Sequence, residues 1–160
     1  MSGSTHQFAS RLRWTGAAAG AVRDYESYSR AYVVEMEGKP PLHGSAALPF
    51  RGDAAAHNPE DLLMAALSAC HFLSYAALCA RHGVVLVAYE DAASGTMTFD
   101  RARKVMAFSE VTLHPRCRVA AGTDVAQARA LHERAHHECF IANSVNFPVT
   151  NEPEILVADA

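Results

Sequence analysis

Residues 58–83 read NPEDLLMAALSACHFLSYAALCARHG, and the reading of this stretch decides the fold. Asn58 is a good N-cap, Pro59 suits the first helical position, and Glu60 and Asp61 complement the positive end of a helix. Helical composition continues to Arg81, and Gly83 supplies the residue type that stops a helix. The pattern predicts a helix of about 24 residues, about 36 Å long. It is apolar nearly all round, so it is expected to be enclosed by protein. Its length would also suit a bilayer. However, Ser68, His71, Ser74, the many alanines and the absence of anchor-like flanks favour a core helix over a membrane span.

Strand signals lie on both sides of this helix. Residues 7–13 alternate loosely, residues 28–36 carry the β-formers Tyr32, Val33 and Val34, and residues 43–50 read as a third strand after the turn at Gly38, Pro40 and Pro41. Beyond Gly83, strands are expected at 84–90, 95–99 and 105–114. A second, amphipathic helix is expected from Thr123 or Asp124 to about Glu138, and a last extended segment from Pro148 through Ile155 and Val157. Strands, a buried helix, more strands and a second helix make an α+β fold, without the alternation of a parallel α/β sheet. A single domain over residues 1–160 is the expectation from length.

Half of the 160 residues are apolar and 19% are charged, a composition that can bury a core. The net charge of −3 gives no case for nucleic acid or a polybasic membrane contact. No charged-then-apolar leader opens the chain, so a cytoplasmic protein is expected. Four cysteines are too few for a secreted disulfide scaffold and point to free, catalytic or metal-bound thiols. Cys70 lies midway along the predicted helix, and Cys79 lies about 13 Å further along it, beyond disulfide reach. Cys139 ends the second helical pattern, where a thiol is easier to expose. His71 points about 100° away from Cys70 on the helix and is poorly placed as its base. The pairs His114/Cys117 and His136/Cys139 could together ligate zinc. No serine-hydrolase or phosphate-loop motif is present.

Asn58-Pro59-Glu60-Asp61-Leu62-Leu63, Ala65-Ala66 and Ser68-Ala69-Cys70 resemble the N-P-E-x-L-x-x-A-x-x-x-x-C segment of OsmC/Ohr proteins, which are thiol-dependent hydroperoxide reductases. Cys139 stands where that family places its second cysteine. The resemblance implies antiparallel sheets wrapped around long central helices in an intertwined homodimer, without a cofactor or metal. It also implies reduction of organic hydroperoxides by a two-cysteine cycle, with an external dithiol as reductant. Carried over by position, the glutamate beside the reactive thiol is Glu60. The arginine is Arg51, with Arg23 as competitor. Phe140 follows Cys139 where the family often has proline, and the Arg51-to-Glu60 spacing is about one residue short.

An arginine is physically needed. The thiolate is the nucleophile, and an ordinary thiol with a pKa of about 8.5 is only a few per cent ionised at neutral pH. Lowering that pKa by about two takes about 2.7 kcal/mol, which a guanidinium in a partly desolvated pocket can supply. Glu60 and Cys70, ten residues apart on one helix, are about 15 Å apart along its axis. Glu60 therefore serves Cys70 only across a two-fold axis, from a partner chain. Two other classes remain open from the sequence: a non-catalytic ligand-binding protein of the same fold, and a zinc module using His114, Cys117, His136 and Cys139.

Overall fold

The computed structural model describes residues 5–159. Its contacts divide the chain into two compact units, Met1–Leu62 and Leu63–Ala160. In the first unit, β1 (Arg11–Trp14), β2 (Tyr32–Glu35) and β3 (Leu42–Gly44) form an antiparallel sheet in that order. Tyr32 pairs with Trp14 on one side and with Gly44 on the other. Gly44 must lack a side chain, because a Cβ there would lie 2.3 Å from the Tyr32 ring.

All three strands are shorter than the patterning predicts. The stretch expected as a strand over 43–50 leaves the sheet at Gly44 and turns through a short 3-10 segment, Leu48–Phe50. Pro49, which has no N–H for a ladder, occupies that turn. Arg51 closes it with φ at 63°.

Helix α1 runs from Pro59 to His82 and starts as its sequence predicts. The Asn58 Oδ1 atom accepts from the Asp61 N–H at 2.8 Å. Gly83 ends it with φ at 72°, a conformation that costs glycine little.

The second unit holds β4 (Leu86–Asp91), β5 (Ser94–Asp100), β6 (Val105–Leu113), β7 (Pro115–Val119), α2 (Val125–Glu138), β8 (Val149–Asn151) and β9 (Glu154–Val157). They form two sheets, β4-β7-β9 and β5-β6-β8. The β4–β7 and β5–β6 pairs are antiparallel, as expected, while β8 and β9 add in parallel to β6 and β7. A single residue, His114, separates β6 from β7, so the chain changes sheets there. It makes the same change again between β8 and β9, at Glu152-Pro153. The sequence reading saw one extended segment at each of these places.

Helix α1 packs one stripe into this unit. Leu67, His71, Tyr75, Leu78 and Cys79 are its buried residues, spaced three and four apart on one face. Tyr75, Leu78 and Cys79 meet Cys117 and Val119 of β7 and Ala128, Leu131 and Ala135 of α2. Leu67 joins Val111, Leu113 and Val149 in a second cluster. The expectation that α1 is enclosed all round does not hold for the single chain: Leu73, on the opposite face, is 64% exposed. The buried stripe nonetheless makes α1 a core helix rather than a bare apolar rod, although its length and hydropathy are sufficient to cross a membrane.

Candidate functional site

Small residues dominate the open face of α1, with Ala66, Ala69, Cys70, Leu73 and Ala77 along it. Together with Phe140 and Asn143 beyond α2, they line an apolar groove of about 740 Å³. Asp124 caps the start of α2 by accepting from the Ala126 and Gln127 N–H groups at 2.9 and 3.1 Å. At the other end of α2, Cys139 is the C-terminal cap.

A tight turn fixes Cys139. Its carbonyl accepts from the Asn143 N–H at 3.0 Å and from Asn143 Nδ2 at 2.9 Å. The Ala142 N–H points at its sulfur from 3.5 Å. Cys139 is buried while Cys70 is half-buried, and the Cys70 thiol is near enough to influence the ionisation of Cys139. Burial, opposed by the Ala142 N–H and reinforced by the Cys70 thiol, pushes the Cys139 thiol up to about 11. At neutral pH Cys139 is therefore protonated. All four cysteines are free. The two thiols singled out from the sequence thus lie near one another, Cys70 lining the groove and Cys139 buried.

The remaining ionisable side chains of α1 and α2 are arranged differently. His71 turns into the core, where its Nε2 lies 3.0 Å from His132 Nδ1. His132 Nε2 lies 3.4 Å from the Cys117 sulfur. The Tyr75 ring stacks on His132 with centroids 3.7 Å apart, and its hydroxyl donates to the Ala128 carbonyl at 3.2 Å. Burial depresses His71 to about 4 and His132 to about 3. Desolvation also raises Cys79, and it pushes Cys117 up to about 12. These groups are neutral and sealed. Sequence reasoning did not foresee this chain, because residues 71, 117 and 132 share no local motif.

The four residues weighed as zinc ligands are not brought together. Cys117 faces His132, whereas His114 contacts Ser94 Oγ at 3.2 Å and Glu152 at 3.5 Å. Among the described residues no cluster of three or more metal-ligating side chains occurs.

Glu60 belongs to the first unit, where it lines a second apolar cavity with Trp14, Tyr28, Arg30, Tyr32 and Phe50. Its Oε2 atom is buried without a partner. Desolvation raises the Tyr32 hydroxyl pKa, and the nearby Glu60 charge raises it further. Arg51 does not reach this cavity; it is half-exposed and pairs with Glu26 at 3.6 Å. Arg23 is exposed. The guanidinium that does line the cavity is Arg30, which sequence reasoning missed. It sits 3.8 Å from the Tyr28 ring centroid and 4.9 Å from that of Tyr25. It donates from Nη1 to the Tyr28 carbonyl at 2.5 Å and from Nη2 to the Tyr25 carbonyl. The available signal was the Tyr25, Tyr28 and Tyr32 spacing around Arg30, an aromatic setting suited to a guanidinium.

A family profile described as OsmC-like protein matches residues 52–154, from the loop before α1 to the start of β9. The chain belongs to the OsmC-like family. Its fold is that of solved OsmC-like proteins. One from Vibrio cholerae, described as of unknown function, is 27% identical, with a TM-score of 0.84 over 94% of this chain and all of that one. An organic hydroperoxide resistance protein OsmC from Legionella pneumophila is 18% identical, with a TM-score of 0.70 over 96% and 99% of the two chains. The organic hydroperoxide resistance protein OhrB of Bacillus subtilis is 18% identical, with a TM-score of 0.63 over 92% and 98%. No protein in the curated set matches the chain. At these identities the last two likenesses concern the fold alone.

Proposed function

We propose that the protein is a cytoplasmic two-cysteine thiol peroxidase that reduces organic hydroperoxides. The observation that carries this reading is the nearness of the buried Cys139 thiol to Cys70, which lines the groove. Cys70 is the more accessible of the two, and Cys139 is held protonated beside it, which is the division of labour the cycle requires. The Cys70 thiolate attacks the terminal oxygen of the hydroperoxide and the O–O bond breaks. The alkoxide leaves as an alcohol after taking a proton, and Cys70 becomes a sulfenic acid. The Cys139 thiol then displaces water from that sulfur to form a disulfide. An external dithiol restores both thiols by exchange and is itself oxidised.

A guanidinium near the reacting atoms favours the thiolate and stabilises charge on the leaving oxygen. Arg30, which shares a cavity with Glu60, is better placed for this role than the half-exposed Arg51 or the exposed Arg23. Helix geometry keeps Glu60 about 15 Å along the axis from the Cys70 of its own chain. In this reading the arginine and glutamate reach Cys70 from a second copy of the chain, in a homodimer. The open apolar face of α1 and the neighbouring Phe140 support that assembly, because Leu73 and Phe140 are 64% and 80% exposed.

Mass spectrometry after one equivalent of an organic hydroperoxide tests the proposal. A disulfide between Cys70 and Cys139 is expected. A bridge to Cys79 or Cys117, or no oxidation at Cys70, overturns it.

A further inference from the structure

The two corners where the second unit's chain changes sheets bring together side chains that the thiol chemistry does not use. His114 forms the single-residue link between β6 and β7. Its N–H donates to Asp91 Oδ1 at 2.7 Å, and the other Asp91 oxygen accepts from the Ser68 hydroxyl on α1, so this corner is pinned. Ser94 opens β5 opposite Thr112 of β6. Asn151, the last residue of β8, pairs with Leu113 of β6, and the Glu152 N–H donates to the Leu113 carbonyl at 2.9 Å. Because β5 and β8 flank β6, the sheet register sets Ser94 and Glu152 on either side of His114.

The three side chains are connected in a definite order. Ser94 Oγ lies 3.2 Å from His114 Nε2, and Glu152 Oε2 lies 3.5 Å from His114 Nδ1. A carboxylate at Nδ1 favours the tautomer with its proton there, which leaves the Nε2 lone pair to accept from the serine hydroxyl. Acyl-transfer enzymes use this serine–imidazole–carboxylate order, and it is recognised by geometry and roles rather than by a sequence motif. The missing G-x-S-x-G belongs to a strand-to-helix elbow, whereas Ser94 begins an edge strand. All three side chains are reachable from solvent. A cavity of about 320 Å³ adjoins the imidazole, lined by His114, Arg116 and the carboxylates of Glu90, Asp91, Glu152 and Glu154. Arg116 is held through Nε by Glu154 at 3.0 Å and through Nη1 by Glu90 at 3.7 Å. These ion pairs leave Nη2 to donate to a carbonyl oxygen. Four carboxylates against one guanidinium repel anions.

We propose that Ser94, His114 and Glu152 form a second site, separate from the thiols, that hydrolyses small neutral or cationic esters. The Ser94 oxygen attacks the acyl carbon while His114 takes the hydroxyl proton. The ester C–O bond breaks, and the alcohol leaves with that proton. Water, deprotonated by His114, then cleaves the acyl–serine bond, which releases the carboxylic acid and restores Ser94. Glu152 touches no reacting atom and acts as a positioning residue for the imidazole.

The full-length protein is treated with diisopropyl fluorophosphate, a neutral reagent that loses fluoride to an activated serine and spares thiols. Mass spectrometry then identifies the labelled peptide. Labelling at Ser94 is expected, and His114→Gln should slow it about a hundredfold. Hydrolysis of p-nitrophenyl acetate is followed after exposed thiols are capped with methyl methanethiosulfonate. Ser94→Ala should remove the protein-dependent rate, while peroxide turnover by the uncapped variant is unchanged. Glu152→Gln should lower kcat about fivefold at unchanged KM, and Glu152→Asp should recover part of it. The anionic p-nitrophenyl hemisuccinate should react about tenfold more slowly than the acetate.

No label on Ser94, labelling indifferent to His114→Gln, or a wild-type hydrolysis rate in Ser94→Ala overturns the proposal. A rate lost in His114→Gln but kept in Ser94→Ala would identify an imidazole reacting alone, and so also overturns it. Equal rates with the two esters would refute the selection against anions, and an unchanged kcat in Glu152→Gln would remove Glu152 from the site.

Discussion

Acidification should unfold the second unit through its buried imidazoles, at a pH where carboxylates are still ionised. His71 and His132 are both fully buried, with pKa values depressed from 6.5 to about 4 and about 3. Burial is the main cause for both. The Asp91 carboxylate raises His71 and His136 lowers it, while His71 and Arg129 lower His132. Their folded pKa values are lower than the unfolded ones, so the unfolded chain binds more protons as pH falls. Stability is then complete above about 6.5 and is lost progressively toward 4 and 3. From pH 7 to pH 4.5 each imidazole costs about 2.5 kcal/mol, or about 5 kcal/mol for the pair. That is comparable with the whole stability of many domains, about 5–15 kcal/mol. Urea unfolding followed by far-ultraviolet circular dichroism, at half-unit pH steps, measures the effect. Between pH 6 and 4.5 the slope should approach about 2.7 kcal/mol per pH unit, the value for two protons. His132→Phe, which keeps a ring against Tyr75, should roughly halve it. A stability change under about 1 kcal/mol between pH 7 and 4.5 would refute the sealed, neutral pair.

Three further outcomes are expected. Cys139→Ser should leave one rapid turnover and a sulfenic acid on Cys70 that dimedone traps; an unimpaired steady-state cycle would exclude Cys139 as the resolving thiol. A mixed dimer of Cys70→Ser and Glu60→Ala chains should retain about half of wild-type activity if Glu60 acts across the two-fold axis, because one of its sites then carries both lesions and the other neither. Activity at the single-mutant floor would instead place both residues in one chain's site. Asp124→Ala removes the side chain that caps α2 through two N–H groups, so chemical denaturation should show a loss of about 1 kcal/mol.

What could be read from the sequence was encoded locally. Both helices were found because Asn58, Gly83 and Asp124 act within a few residues of themselves. The strands of the first unit were overextended, because β-propensity measures fit to a half-buried surface that only the neighbouring strands define. The parallel additions of β8 and β9 depend on pairing Val149 with Val111 and Ile155 with Cys117, partners far apart in the chain. Of the candidate residues, Cys70 and Glu60 were singled out from the motif and Cys139 from its spacing. Arg30 was not, because a lone Ser-Arg-Ala has no signature, and its setting arises from rings and carbonyls brought together by folding. Cys117 likewise looked featureless beside its arginines, although it ends a buried thiol–imidazole chain.

The depth of Cys79 and Cys117 turns them into an internal clock. Both sulfurs lie beneath α2, and both are held as thiols by desolvation. An alkylating reagent reaches them only when that helix lifts, so their labelling rate counts opening events rather than encounters at the surface. A native chain would show two populations of thiol, one labelled at once and one labelled at the pace of the core's own breathing. The lag between them would give the free energy of local opening without denaturant.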